Sequence, residues 1–141
     1  MGPMRALTPF LMFCREHHGQ AEEAIEFYCS VFEDSRVISI DRYGPGDTEP
    51  AGTVRVATFE LGGHRVMAID SAAPHEFTFT PAISLWAECE SLDEIERLAA
   101  ALVDGGAALM PLGDYGFSQR FGWIADRYGV SWQLNFAASS G

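Results

Sequence analysis

The chain has 141 residues, 48% of them hydrophobic and 21% charged, which suits one soluble globular domain with a real core. Its net charge is −11, and all nine basic residues are Arg. That balance argues against a nucleic-acid partner, which needs clustered cations, and the lack of Lys excludes a lysine Schiff base. No apolar run reaches the roughly 18–20 residues of a membrane span. Met1-Gly2-Pro3-Met4 opens without the apolar segment of an export signal, which points to the cytoplasm. Cys14, Cys29 and Cys89 are odd in number and widely spaced, the pattern of reduced thiols.

Leu7 to Cys14, opened by Thr8-Pro9, reads as a strand. Between Gln20 and Phe32, Ala21, Ala24, Ile25, Tyr28, Val31 and Phe32 fall on one face of a helix. Arg36 to Tyr43 is the next strand, followed by a loop at Gly44-Pro45-Gly46-Asp47. Thr53 to Leu61 and His64 to Ser71 are strands joined by the hairpin signal Gly62-Gly63. Ala72 to Thr80 is a linker with the test-worthy His75-Glu76 pair; His17-His18 reads as solvated loop and His64 as surface.

The order then repeats. Ala82 to Cys89 is a strand, and Ser91-x-x-Glu94 is a capping box that opens a helix. Leu92, Ile95, Leu98, Ala99 and Leu102 form its apolar face, and Gly105-Gly106 ends it. Ala107 to Leu112, Ser118 to Asp126 and Val130 to Phe136 complete three more strands. The chain is therefore one domain, 1–141, of two βαβββ modules at 5–71 and 81–137, with the linker at 72–80. One helix per module covers one sheet face only. The other faces are expected to wrap a common concave space, giving an α+β fold with an eight-stranded incomplete barrel.

Alternation in the last strand nominates the lining. Val130, Trp132, Leu134 and Phe136 point one way, and Ser131, Gln133 and Asn135 point the other. By the same parity Ser84, Trp86 and Glu88 share the uncovered face, and Leu11 and Met67 join from the first module. Arg120 stands as a cation for an anionic ligand or as the partner of Asp114 or Asp126. The expected cavity is Leu11, Met67, Ser84, Trp86, Arg120, Ser131, Gln133 and Asn135, an aromatic wall with neutral polar groups. There is no nucleophile elbow, and Cys89 has no evident cation to activate it.

Thr8-Pro9-Phe10-Leu11, Ala21-Glu22-Glu23-Ala24-Ile25-Glu26-Phe27-Tyr28, Gly105-Gly106 with Leu109-Met110-Pro111-Leu112, and the run from Arg120 to Asn135 together resemble the PhnB-like branch of the vicinal oxygen chelate superfamily. Glyoxalase I, extradiol dioxygenases and bleomycin-binding proteins belong to that superfamily. The resemblance implies a homodimer that binds a small molecule. Members of the branch often carry the label 3-demethylubiquinone-9 3-methyltransferase, but three strands in succession after each helix are not the alternating layout with a Gly-rich turn that such cofactors use.

Metal-using members take His, Glu or Gln ligands from the first and last strands of each half. Laying Thr8–Phe13 on Pro81–Trp86, and Gly63 on Gly129, puts those positions near Pro9, Met67, Ala82 and Gln133. Gln133 alone offers a suitable donor, so neither metal nor other cofactor is expected. The alternatives are a metal-dependent lyase, isomerase or dioxygenase using Gln133, and a dimeric interaction module without catalysis.

Overall fold

The computed structural model describes residues 4–137; the opening Met1-Gly2-Pro3 lies outside the described residues. Its elements follow the expected order, β1 (Phe10–Phe13), α1 (Ala21–Val31), β2 (Arg36–Arg42), β3 (Val54–Leu61) and β4 (His64–Asp70), then β5 (Leu85–Glu88), α2 (Leu92–Val103), β6 (Ala107–Gly113), β7 (Arg120–Ala125) and β8 (Ser131–Phe136). A short 3-10 turn, Arg15–His17, precedes α1. The chain divides into two compact units, Met1–Thr78 and Phe79–Gly141, with the boundary inside the proline-containing segment 72–80. Each unit is one four-stranded sheet, ordered β1-β4-β3-β2 in the first and β5-β8-β7-β6 in the second. In both, the first strand runs parallel to the last and the other pairs are antiparallel. The fold is α+β.

In the first unit, α1 buries Ala21, Ala24, Ile25, Tyr28 and Val31, as its 3.6-residue spacing requires, while Phe32 is its C-cap. These meet Ala57 and Phe59 of β3 and Val66 and Ala68 of β4 on the covered sheet face. The N-cap of α1, Gln20, supplies no side-chain bond. Asp70, at the end of β4, does that work from a distance. It is 1% exposed, and its Oδ1 accepts Gly19 N–H at 2.9 Å and Ala21 N–H at 3.1 Å. Its Oδ2 accepts Val54 N–H at 2.9 Å, where β3 begins.

In the second unit, α2 is self-capped. Ser91 accepts Glu94 N–H at 3.1 Å, and Glu94 Oε1 reaches back to Glu90 N–H at 2.8 Å. Ile95, Leu98, Ala99 and Leu102 are buried, each Leu or Ile contributing about 1.5–3 kcal/mol. Leu92, at the first helical position, stays 38% exposed. The turn between β7 and β8 is organised by buried Asp126, whose Oδ1 accepts Tyr128 and Val130 N–H groups and whose Oδ2 accepts Trp132 Nε1–H at 2.8 Å.

One boundary, and the superposition that depends on it, correct the sequence reading. The second module's first strand begins at Leu85, because Pro81-Ala82-Ile83 forms a turn. Keeping Met67 on Gln133, the observed registers then lay Phe10 on Trp86, three residues away from the expected superposition. Among the described residues no helix is long and apolar enough to cross a membrane.

Candidate functional site

The helix-free face of the second sheet is a grid set by strand register. Glu88, Asn135 and Phe121 form one row across β5, β8 and β7. Trp86, Gln133 and Trp123 form the next, and Ser131 pairs with Ala125 in a third. Ser84, just before β5, reaches that third row through a 2.6 Å hydroxyl–hydroxyl bond to Ser131. Trp123 Nε1–H donates to Ser131 Oγ at 2.8 Å, and Gln133 Nε2–H donates to Ser84 Oγ at 3.2 Å. The hydroxyls are thus held by neutral donors, with no base positioned to make either a nucleophile.

The first row differs. Glu88 accepts Trp86 Nε1–H at 2.8 Å and Asn135 Nδ2–H at 3.1 and 3.3 Å. Asn135 is 7% exposed, and its Oδ1 is buried without a donor. A flip of the amide would turn an acceptor onto the carboxylate, so Glu88 fixes its orientation. Beside this row the rings of Trp86, Tyr115 and Phe117 gather on Phe121, with centroid distances of 5.8, 6.0 and 4.9 Å. Phe121 is 4% exposed, whereas Trp86, Tyr115 and Phe117 are 52%, 41% and 60% exposed.

Ser84, Trp86, Ser131, Gln133 and Asn135 therefore share one face of the second sheet. Met67 pairs with Phe10 on the helix-free face of the first. Leu11 does not belong with it: it is paired with Ala68, whose parity places both toward α1. Arg120 is also corrected. It pairs with Phe136 on the α2 side, and its guanidinium lies 3.9 Å from Glu96 of α2, not beside Asp114 or Asp126. Phe121 and Trp123 are the lining residues that parity along β7 assigns once its register is known. Tyr115 and Phe117 come from the loop before β7, where no periodicity marks them.

His75 belongs to the first unit. Its Nε2 lies 2.9 Å from Ser71 Oγ, and it helps line a cavity of about 400 Å³ with Arg15, His18, Ala72, Ala73 and Pro74. Cys89 is buried, and its thiol is pushed up to about 12 by burial first, then by Glu94 and Glu88. Burial also raises Cys14 and Cys29. Because folding favours the neutral Cys89 thiol, its contribution is present below the unfolded thiol value and is lost as pH rises toward 12. Ellman's reagent at pH 8 is expected to modify half-buried Cys29 first and Cys89 only on unfolding. Full modification of Cys89 in the native protein within seconds would contradict this.

The donor set does not fit a chelated divalent ion. With the observed registers, the first module supplies Phe10 and Met67 at the paired positions and the second supplies Trp86 and Gln133. Two residues along, the paired positions are Met12 and Ile69 in the first module and Glu88 and Asn135 in the second. Two hard donors and an unpaired amide oxygen, all from one module, leave the other without any. Among the described residues no three His, Cys, Asp or Glu side chains converge.

Two βαβββ modules, each with its first strand parallel to its last, define the vicinal oxygen chelate fold. A glyoxalase/bleomycin resistance/dioxygenase domain from Frankia shares this fold with a TM-score of 0.64 at 13% identity, over 96% of this chain and 99% of that one. The family is narrower. A model described as 3-demethylubiquinone-9 3-methyltransferase matches residues 5–135, and the chain belongs to that family, the PhnB-like branch of the superfamily. It is 50% identical to a PhnB protein from Bacillus cereus, with a TM-score of 0.88, over 94% of this chain and all of that one. A protein from Pseudomonas aeruginosa is 28% identical with a TM-score of 0.78, covering 93% and 96%. No curated protein matches the chain.

Proposed function

We propose that the helix-free face of the second module binds a small, flat organic molecule without a metal ion. The observation that carries this reading is the trio of exposed rings, Trp86, Tyr115 and Phe117, gathered on Phe121 beside the Asn135 amide that Glu88 holds in place. Exposed aromatic side chains with a few fixed polar groups are the make-up of a small-molecule site. The unpaired Asn135 Oδ1 adds support, since an unsatisfied buried acceptor costs about 1–3 kcal/mol and is retained most readily where function uses it.

The methyl-transfer activity in the family's description has no support in the topology, which pairs β5 with β8 and β7 with β6 rather than alternating parallel strands with helices. Homodimerisation and a cytoplasmic setting belong to the same proposal. Exposed apolar side chains on the edge strands, such as Val37 of β2 and Leu109 of β6, favour the first, and three free cysteines favour the second.

Trp86→Ala tests the site. Benzyl alcohol, titrated against both proteins by ligand-observed NMR, is expected to bind wild type and to lose about tenfold in affinity on the variant. Equal affinity would remove the face from consideration.

A further inference from the structure

We infer that this face selects an organic cation, a protonated amine attached to an aromatic ring; the inference rests on the binding reading above. Glu88 is exposed, and its hydrogen-bond partners, the indole of Trp86 and the amide of Asn135, are both neutral. Its negative charge is oriented by these bonds and is not neutralised by them. A carboxylate has about four acceptor positions, so capacity for a further donor remains. The second acceptor in the same row, Asn135 Oδ1, has no donor at all.

The rings add the same preference. Tyr115 and Phe117 stack at 20° with centroids 6.4 Å apart, and Phe117 meets Phe121 edge-on at 69°. Trp86, with its N–H turned onto Glu88, leaves an indole 52% exposed. Aromatic faces attract a cation through the ring quadrupole in addition to the stacking they offer any flat group, and this set stands beside an anionic oxygen pair. The loop that presents Tyr115 and Phe117 is fixed by Tyr115 Oη–H bonded to Pro111 O and by Gly116 N–H bonded to Asp114 Oδ1 at 2.8 Å. The one base among the expected site residues, Arg120, lies on the opposite side of the sheet toward Glu96. An anion would therefore meet Glu88 without Arg120 to offset it. The overall charge of −11 draws cations in the same sense.

Three probes of one size separate the possibilities: benzylamine (protonated at neutral pH), benzyl alcohol and phenylacetate, titrated at low salt against wild type, Glu88→Gln and Trp86→Ala. Benzylamine is expected to bind wild type about tenfold or more tightly than the other two. Glu88→Gln keeps an acceptor for the indole and should bring benzylamine to within about threefold of benzyl alcohol measured on the same variant. Raising the salt should weaken benzylamine alone. If benzyl alcohol or phenylacetate binds as tightly as benzylamine and all respond to Trp86→Ala, the charge preference is wrong and the aromatic site stands. If no probe binds, or none responds to Trp86→Ala, both readings fall.

Discussion

Asp70→Ala is expected to destabilise the fold by about 4 kcal/mol, more than any other single change to a polar side chain in the first unit. The carboxylate is 1% exposed and holds three backbone N–H groups from two separate segments, Gly19 and Ala21 at the start of α1 and Val54 at the start of β3. Removing it leaves the buried Ala21 and Val54 donors without an acceptor. It also takes away the only side-chain cap described for α1, along with a negative charge at the helix's positive end. Relief of the carboxylate's own desolvation returns part of the loss, which keeps the figure below the sum of three bonds. Asp70→Asn should be nearly as harmful, because one oxygen becomes an amide that faces a backbone N–H, donor against donor. Urea unfolding followed by far-UV circular dichroism measures this. A midpoint shift equivalent to less than about 1 kcal/mol would show that water or neighbouring groups replace the carboxylate.

Gly106→Ala is expected to be comparably severe, about 3 kcal/mol or more, and to lower the yield of folded protein. A Cβ built on Gly106 lies 2.1 Å from the carbonyl oxygen of Ala125 and within 3 Å of the Asp126 backbone. These are backbone atoms at the end of β7, fixed by the pairing of Ala125 with Ser131 and by the Asp126 turn, so no rotamer change relieves the clash. The preceding Gly105 needs glycine for another reason, a φ of +81° after the end of α2. Gly105→Ala meets side-chain atoms of Arg127 rather than backbone, so it should cost about 1 kcal/mol. Thermal unfolding of the two variants side by side separates close approach from backbone conformation. Equal midpoints would mean that β7 moves to accommodate the Gly106 side chain.

Much of the fold was legible because its signals are local. The apolar spacing of α1 and α2, the capping box at Ser91 and Glu94, the glycine hairpin at 62–63 and the strict alternation of the last strand each depend on residues within a turn or two of one another. The repeated order of elements then follows by inspection. Parity assigned Trp132 to the covered face and Ser131, Gln133 and Asn135 to the other, because a period of two leaves no alternative within one strand.

Parity fails wherever its origin is unknown. Leu11 lies within β1, whose register against β4 turns it toward α1, and Arg120, which no alternation assigns, begins β7, whose pairing with β8 turns it toward Glu96 of α2. The turn at Pro81-Ala82-Ile83 shifted the second module's first strand in the same way, and with it the equivalence of Phe10 and Trp86. Tyr115 and Phe117 lie in a loop, where no repeat marks the side chains that will meet Phe121.

By itself the sequence determined the two βαβββ modules, the helix faces and the poverty of chelating side chains, all of which are set by residue identity and short-range spacing. Only the tertiary structure decided that Asp70 caps a helix some fifty residues before it, that Arg120 turns toward α2, and that Glu88, Asn135 and four aromatic rings meet in one patch. Those contacts join segments far apart in the chain, and strand pairing, which selects them, is a property of register between strands rather than of any one strand alone.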